Sequence, residues 1–324
     1  MNTAERTSRD QAGPGDGRFI RPVSTFRHWI TSDGSAGPTG EGGFQAQPDR
    51  YHLYVSAACP WAHRTLIFRK LKGLEDLISL SAVGTFVASR GWSFAAEPGV
   101  IPDTVNSAAY LSEIYFLAEP DYTGRFTVPV LWDKQRGTIV NNESSEIIRM
   151  FNSAFDLVGA NDRDFHPVEL HNVIEEFNDF IYPNINNGVY CAGFATTQAA
   201  YEEAACNLFA ALDRLEDHLA SHRYLAGEIL TEADWRLFTT LVRFDSVYYG
   251  HFKCNRRRLQ DYPNLWGYTR DLYQVPGIAQ TVDIPFIKKH YYADQHMVNP
   301  TGIVPIGPNL DFTTPHGRDG VGPR

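Results

Sequence analysis

The chain has 324 residues, enough for about two domains. Hydrophobic residues make up 43 % and charged residues 21 %, an ordinary globular balance that excludes a disordered or collagen-like chain. The net charge of -9 argues against a nucleic-acid-binding protein, and no run approaches the roughly 18 apolar residues that a membrane span needs.

The sequence of the N-terminal region predicts an extended arm followed by a βαβ unit. Residues 1–45 are rich in Gly and Pro, and the glycines between Gly34 and Gly43 follow no strand pattern, so we do not expect a phosphate loop there. Tyr51–Val55 has the composition of a strand, and Pro60 suits the first turn of a helix that ends near Gly73. The pattern of 78–83 predicts a second strand, parallel to the first.

The sequence after this unit predicts a long connection and then a hairpin. Residues 84–126 carry Gly91-Trp92-Ser93-Phe94 and a predicted helix over 105–117. Residues 127–132 and 138–140 read as paired strands, and Asn141–Ser145 is expected to cap a further helix.

Helix signals dominate after residue 160. One helix is predicted after His166-Pro167, a long one over 197–222, and one after Thr231, where Asp234 completes a capping-box pattern. We therefore expect an arm (1–45), an α/β domain (46–155), an all-helical domain (160–297) and an irregular tail (298–324).

The four cysteines favour a cytoplasmic protein with reduced thiols. Their wide spacing does not resemble a disulfide framework, and the first 25 residues lack the apolar core of a secretory signal. Neither Cys-x-x-Cys nor His-Glu-x-x-His is present, so no metal site is expected. The cysteines are Cys59, Cys191, Cys206 and Cys254.

Cys59 is the candidate nucleophile. It lies just before a predicted helix, where free amides and the helix dipole stabilise a thiolate, and His63 and Arg64 follow one turn later. The alternative from the residues alone is a buried structural cysteine.

Two later motifs suit a peptide ligand with a free amino-acid head group. Pro129, at the start of a strand, is a candidate for a cis bond, and Val128 before it offers its backbone to an extended peptide. Ser144 at a helix start suits a carboxylate and Glu143 suits an ammonium. An edge-strand proline and ordinary helix capping are the alternatives.

Together these motifs resemble the glutathione transferase superfamily. Residues 56–64 (Ser-Ala-Ala-Cys-Pro-Trp-Ala-His-Arg), Gly91-Trp92-Ser93-Phe94 and 299–305 (Asn-Pro-Thr-Gly-Ile-Val-Pro) are similar to the glutathionyl-hydroquinone reductases, the Xi class, over roughly residues 45–312. The resemblance implies the glutathione transferase fold, an α/β thioredoxin-like N-terminal domain plus an all-α C-terminal domain.

The resemblance also implies roles for individual residues. Cys59 would be the catalytic nucleophile, and glutathione, as co-substrate, would be held by Trp92, Arg125, Val128, Glu143 and Ser144. Tyr190 and Tyr291 would contact the aromatic substrate.

The implied reaction is the glutathione-dependent reduction of a glutathionyl-hydroquinone through a Cys59–glutathione mixed disulfide, with release of glutathione disulfide. An Omega-like thiol transferase or dehydroascorbate reductase is the nearest alternative, and a non-catalytic glutathione-binding interaction module is the second. The resemblance implies a homodimer with small-molecule partners and no nucleic acid or membrane.

Overall fold

The computed structural model describes residues 15–88 and 90–322. Part of the predicted arm, residues 1–14, lies outside them. The chain divides into two compact units. The described part of the first is residues 22–164 without Ser89, and that of the second is residues 15–21 with 165–322.

The first unit is built on a four-stranded mixed sheet. Its strands are β1 (Tyr51–Val55), β2 (Ile78–Ala82), β5 (Val130–Asp133) and β6 (Thr138–Asn141), in the order β2-β1-β5-β6. A separate ribbon pairs β3 (Val87–Ala88) with β4 (Gly91–Trp92). β1 is parallel to β2 and antiparallel to β5, and β5 and β6 are antiparallel neighbours. All five residues of β1 are buried, which fits its central place and its apolar sequence.

The α-helices among the described residues of this unit are α1 (Pro60–Leu71), α2 (Leu111–Ala118) and α3 (Ser144–Ser153). The βαβ prediction is confirmed, because α1 connects the parallel strands β1 and β2. Ile67 and Leu71 on α1 are buried, and α1 packs against α3. The N-terminus of α1 shortly follows the end of β1, and that of α3 shortly follows the end of β6.

The predicted start of α2 was wrong. A helix was expected from Val105, but α2 begins at Leu111. The carboxylate of Asp103 accepts hydrogen bonds from the backbone N–H groups of Val105, Asn106 and Ala108, which holds this stretch in a loop. Tyr110 forms a bridge with Ser93 and so cannot continue the helix backwards.

The described residues before β1 cover an edge of the sheet. Arg27 forms an antiparallel bridge with Asn141 of β6, and the His28 N–H donates to the Val140 carbonyl. Ile30 and Phe44 are each 2 % exposed. This segment thus protects the backbone groups of an edge strand and adds to the core.

The second unit is helical. Its α-helices among the described residues are α4 (His171–Ile181), α5 (Gly188–Gly193), α6 (Gln198–Leu219), α7 (Glu232–Arg243), α8 (Pro263–Gln274) and α9 (Ile284–Asp294). Two π-helical turns, Tyr182–Asn186 and Phe244–Tyr248, follow α4 and α7. The predicted capping box at α7 is present, since the Asp234 carboxylate accepts the Thr231 N–H. The expected fold class, a thioredoxin-like domain plus a helical one, is confirmed. None of the described helices has the length and apolar character needed to cross a bilayer.

Candidate active site

Cys59 is the N-cap residue of α1. The residue is half-buried, and its Sγ atom lies 3.6 Å from the carbonyl oxygen of Val128. The first turn of α1 contains no acidic side chain, so nothing there opposes the positive end of the helix dipole at the sulfur. A cysteine in this position is suited to react as a thiolate.

Val128 is brought beside Cys59 by the loop before β5. The Val128–Pro129 peptide bond is cis, and both residues are buried. Pairing of β5 with β1 begins at Val130, opposite Tyr54. The backbone of Val128 therefore precedes the paired residues of the sheet and lies next to the Cys59 sulfur.

Glu143 and Ser144 form the start of α3. Glu143 is its N-cap residue, and its carboxylate accepts hydrogen bonds from the Ser145 N–H (3.1 Å) and the Ser24 hydroxyl (2.9 Å). Burial by itself raises the pKa of the Glu143 carboxyl. These hydrogen bonds and the charge of Arg64 outweigh it, so the pKa is lowered from its ordinary value. Glu143 is therefore a carboxylate at neutral pH.

The sequence predicted only that Arg64 adds positive charge near Cys59, a role that does not require burial. The structure instead buries this side chain. It is 1 % exposed, and its Nη1 donates to the Ser144 hydroxyl oxygen (3.4 Å). This contact links α1 to the start of α3.

Trp92 and Arg125 belong to the same unit as Cys59. Trp92 is half-buried in β4, opposite Val87. Arg125 is half-buried in the loop after α2, and its carbonyl oxygen accepts the Tyr122 hydroxyl (3.1 Å).

Tyr190 and Tyr291 lie together in the second unit. Their hydroxyl oxygens are 2.6 Å apart, and Tyr248, which the sequence reasoning missed, lies 3.3 Å from the Tyr291 hydroxyl. Burial raises the pKa values of Tyr248 and Tyr291 well above their ordinary range, so both are neutral donors. Because Tyr248 ends the π-helical turn after α7, its position is out of phase with the α7 periodicity. The Tyr248-Tyr249 pair, similar to Tyr291-Tyr292, was the only hint in the sequence.

Comparison with known proteins supports a single family. Residues 58–154 match the family model "Glutathione S-transferase, N-terminal domain", and residues 198–271 match "Glutathione S-transferase, C-terminal domain". The chain is 57 % identical to the glutathionyl-hydroquinone reductase YqjG of Escherichia coli over 94 % of this chain and 93 % of that protein. It is 52 % identical to the glutathionyl-hydroquinone reductase PcpF of Sphingobium chlorophenolicum over 90 % of each.

Solved structures agree with these matches. The glutathione-bound structure of YqjG superposes on this chain with a TM-score of 0.90, and the match covers 91 % of this chain and 96 % of that one. The glutathione transferase Xi from Phanerochaete chrysosporium has a TM-score of 0.86 at 50 % identity, covering 92 % and 99 %. The chain therefore belongs to the glutathione transferase superfamily, within its Xi class of glutathionyl-hydroquinone reductases.

Proposed function

We propose that this protein reduces glutathionyl-hydroquinones to hydroquinones at the expense of glutathione. The observation that carries the proposal is the convergence of Cys59, at the start of α1, with the backbone of Val128. The names of the two bacterial relatives give the same reaction class.

The residues have complementary tasks in binding glutathione. Val128 holds the cysteinyl part of the tripeptide through backbone hydrogen bonds, in the manner of an added strand. Glu143 pairs with the ammonium of the γ-glutamyl end, and Ser144 donates to its carboxylate. Trp92 and Arg125 cover or contact the remainder of the tripeptide. These contacts place the ligand's sulfur beside Cys59.

The first half-reaction forms a mixed disulfide. The Cys59 thiolate attacks the sulfur of the substrate thioether, so that a sulfur–sulfur bond forms and the sulfur–carbon bond breaks. The ring carbon keeps the bonding pair and takes a proton, which releases the hydroquinone. Tyr190 and Tyr291 donate hydrogen bonds to a ring oxygen and so stabilise charge that develops there.

The second half-reaction restores the enzyme. The thiolate of a free glutathione attacks the glutathionyl sulfur of the mixed disulfide, and Cys59 leaves as a thiolate. Glutathione disulfide is released. The external thiol is needed because residue 62, where a Cys-x-x-Cys motif would have its second cysteine, is Ala62.

An Omega-like thiol transferase or dehydroascorbate reductase activity is the second candidate. It is favoured by the same feature, a cysteine at a helix start, because any glutathione mixed disulfide forms through such a thiolate. The two candidates differ in whether a carbon–sulfur bond is broken.

A trapping experiment tests the first half-reaction. Wild-type protein is mixed with one equivalent of a glutathionyl-hydroquinone and no free glutathione, then quenched with acid. We expect free hydroquinone in one equivalent and one glutathionyl group on Cys59, located by peptide mass spectrometry. Free hydroquinone without modified Cys59 would contradict the covalent route.

We also propose a homodimer in the cytoplasm. All four cysteines lie within the described residues and none forms a disulfide, which suits a reducing compartment. The homodimer rests on the family resemblance. Light scattering coupled to size exclusion tests it, and a monomer mass at micromolar concentration would oppose it.

A further inference from the structure

Arg64 is a buried cation without a role in the reaction proposed above. It is 1 % exposed, on the α1 helix whose N-cap residue is Cys59. Burying a guanidinium costs free energy unless hydrogen bonds and a charge partner compensate for it.

Arg64 contacts the start of α3. Its Nη1 donates to the Ser144 hydroxyl oxygen at 3.4 Å, and its charge acts on the Glu143 carboxylate. On the side of α1, its guanidinium carbon lies 4.7 Å from the centroid of the Trp61 ring. The planar group is thus held between an aromatic ring and a hydroxyl, a geometry that lysine cannot reproduce.

The donor pattern fixes the direction of the Ser144 hydroxyl. A guanidinium only donates, so the Ser144 oxygen must accept from Arg64. The Ser144 proton is then left for a different acceptor. Because Ser144 is the first residue of α3, its N–H group is one of those at a helix start that have no hydrogen-bond partner within the helix. A carboxylate bound at this helix start would accept from the N–H and the hydroxyl of Ser144 and would lie near the positive charge of Arg64.

We propose that Arg64 is a positioning residue for the γ-glutamyl carboxylate of glutathione. It turns the Ser144 hydroxyl into a fixed donor and supplies the positive charge beneath the bound carboxylate. The inference rests on the proposed function, since it assumes that glutathione is the ligand. It adds a specificity determinant that touches the ligand only through Ser144.

The test compares ligands that differ at one end. Binding of glutathione is measured by calorimetry in a Cys59→Ser background, with and without Arg64→Met or Arg64→Lys. The second ligand is 4-aminobutyryl-cysteinyl-glycine, which keeps the ammonium and lacks the γ-glutamyl carboxylate. We expect Arg64→Met to weaken glutathione binding about tenfold or more, and to change binding of the second ligand less than twofold.

Two controls separate positioning from a structural role. Arg69→Met removes another guanidinium from α1, one that donates to the backbone carbonyls of Ile78 and Glu75, and should leave both affinities unchanged. In a Ser144→Ala background, the effect of Arg64→Lys on glutathione binding should shrink to less than half. Arg64→Lys retains the positive charge, so it replaces Arg64→Met in the test if Arg64→Met does not fold.

Each outcome has a definite meaning. Equal weakening of both ligands by the Arg64 variants would overturn the positioning role, as would an undiminished effect in the Ser144→Ala background. If the protein with Arg64 intact bound neither ligand, the proposed function itself would fail. Loss of affinity for glutathione alone would support the inference.

Discussion

At the scale of single residues, Glu143 shows how the site keeps a charge in a confined place. Its carboxylate is half-buried, but Ser145, Ser24 and Arg64 stabilise the ionised form. Its folded pKa is lowered, so its charge is present at neutral pH and is lost only as the pH falls through a value below the ordinary 4.5.

We predict that Glu143→Gln weakens glutathione binding about tenfold or more, because an amide cannot neutralise the γ-glutamyl ammonium. In Cys59→Ser protein with Glu143 intact, the affinity should stay constant between pH 7 and pH 5, since Glu143 remains ionised. Calorimetry at the two pH values measures both effects. Glu119→Gln, on the exposed end of α2, is the matched control. A steep loss of affinity by pH 5 would show that Glu143 is not the charged group assumed.

Sequence reasoning located the residues that stand at element boundaries. Such boundaries are marked by Pro60, Pro129 and the capping residue Glu143. These local signals were enough to pick out the neighbouring residues Cys59, Val128 and Ser144 as candidates. Their roles stay predictions. The buried contact of Arg64 with Ser144 had no local signal, because it depends on how α1 and α3 pack.

At the scale of elements, His52 ties β1 to β2 in a pH-dependent way. Its ring lies between the hydroxyls of Ser79 (2.7 Å) and Ser81 (2.9 Å). The Ser81 hydroxyl donates to the Pro102 carbonyl, so it accepts from Nε2–H and leaves Nδ1 to accept from Ser79. Burial lowers the pKa of His52 to about 4, against the opposing influence of Asp103.

This neutral histidine should make the protein sensitive to mild acid. An unfolded histidine, with a pKa near 6.5, binds a proton that the folded ring rejects. The contribution to stability is complete above pH 6.5 and is lost as the pH falls towards 4. Between pH 7.5 and 5 we expect His52 to account for about 2 kcal/mol of lost unfolding free energy. Urea titrations of wild type and His52→Gln at both pH values measure it, and parallel pH dependences would refute it.

Asp234 anchors the beginning of α7. Its fully buried carboxylate accepts hydrogen bonds from the Leu225 and Thr231 N–H groups and from the hydroxyls of Thr231 and Tyr268. Asp234→Ala would leave these donors without an acceptor, and we expect it to lower the unfolding free energy by about 3 kcal/mol or more. Thermal and urea unfolding provide the measurement. Asp217→Ala, an exposed acid on α6, should change it by less than about 0.5 kcal/mol. Similar losses in the two variants would contradict the anchoring role.

Regular elements were easier to predict than the long connection between β2 and β5. β1 is rich in strand-forming residues and Pro60 marks the start of α1, and both elements appear close to their predicted bounds. The start of α2 was misplaced because Asp103 holds residues that the helix pattern alone would include. The β3–β4 ribbon has two residues per strand, too few for a periodic signal.

At the scale of the whole molecule, the candidate residues are divided by task. The residues proposed for sulfur chemistry and glutathione binding belong to the first unit, and the tyrosines proposed for the aromatic ring belong to the second. That a part with strands precedes a helical part along the chain could be predicted, since strand signals stop near residue 160. The domain boundaries themselves stay predictions.

The most direct test of Cys59 as the nucleophile of a glutathionyl-hydroquinone reductase is a paired assay of wild type and Cys59→Ser. Each protein is tested in three separate assays, all with glutathione. The second substrate is a glutathionyl-hydroquinone in the first assay, dehydroascorbate in the second and chlorodinitrobenzene in the third. We expect wild type to release free hydroquinone and glutathione disulfide in equal amounts, and Cys59→Ser to lose this activity while still binding glutathione. Retention of most hydroquinone release by Cys59→Ser, or a wild type that only conjugates chlorodinitrobenzene, would contradict this expectation.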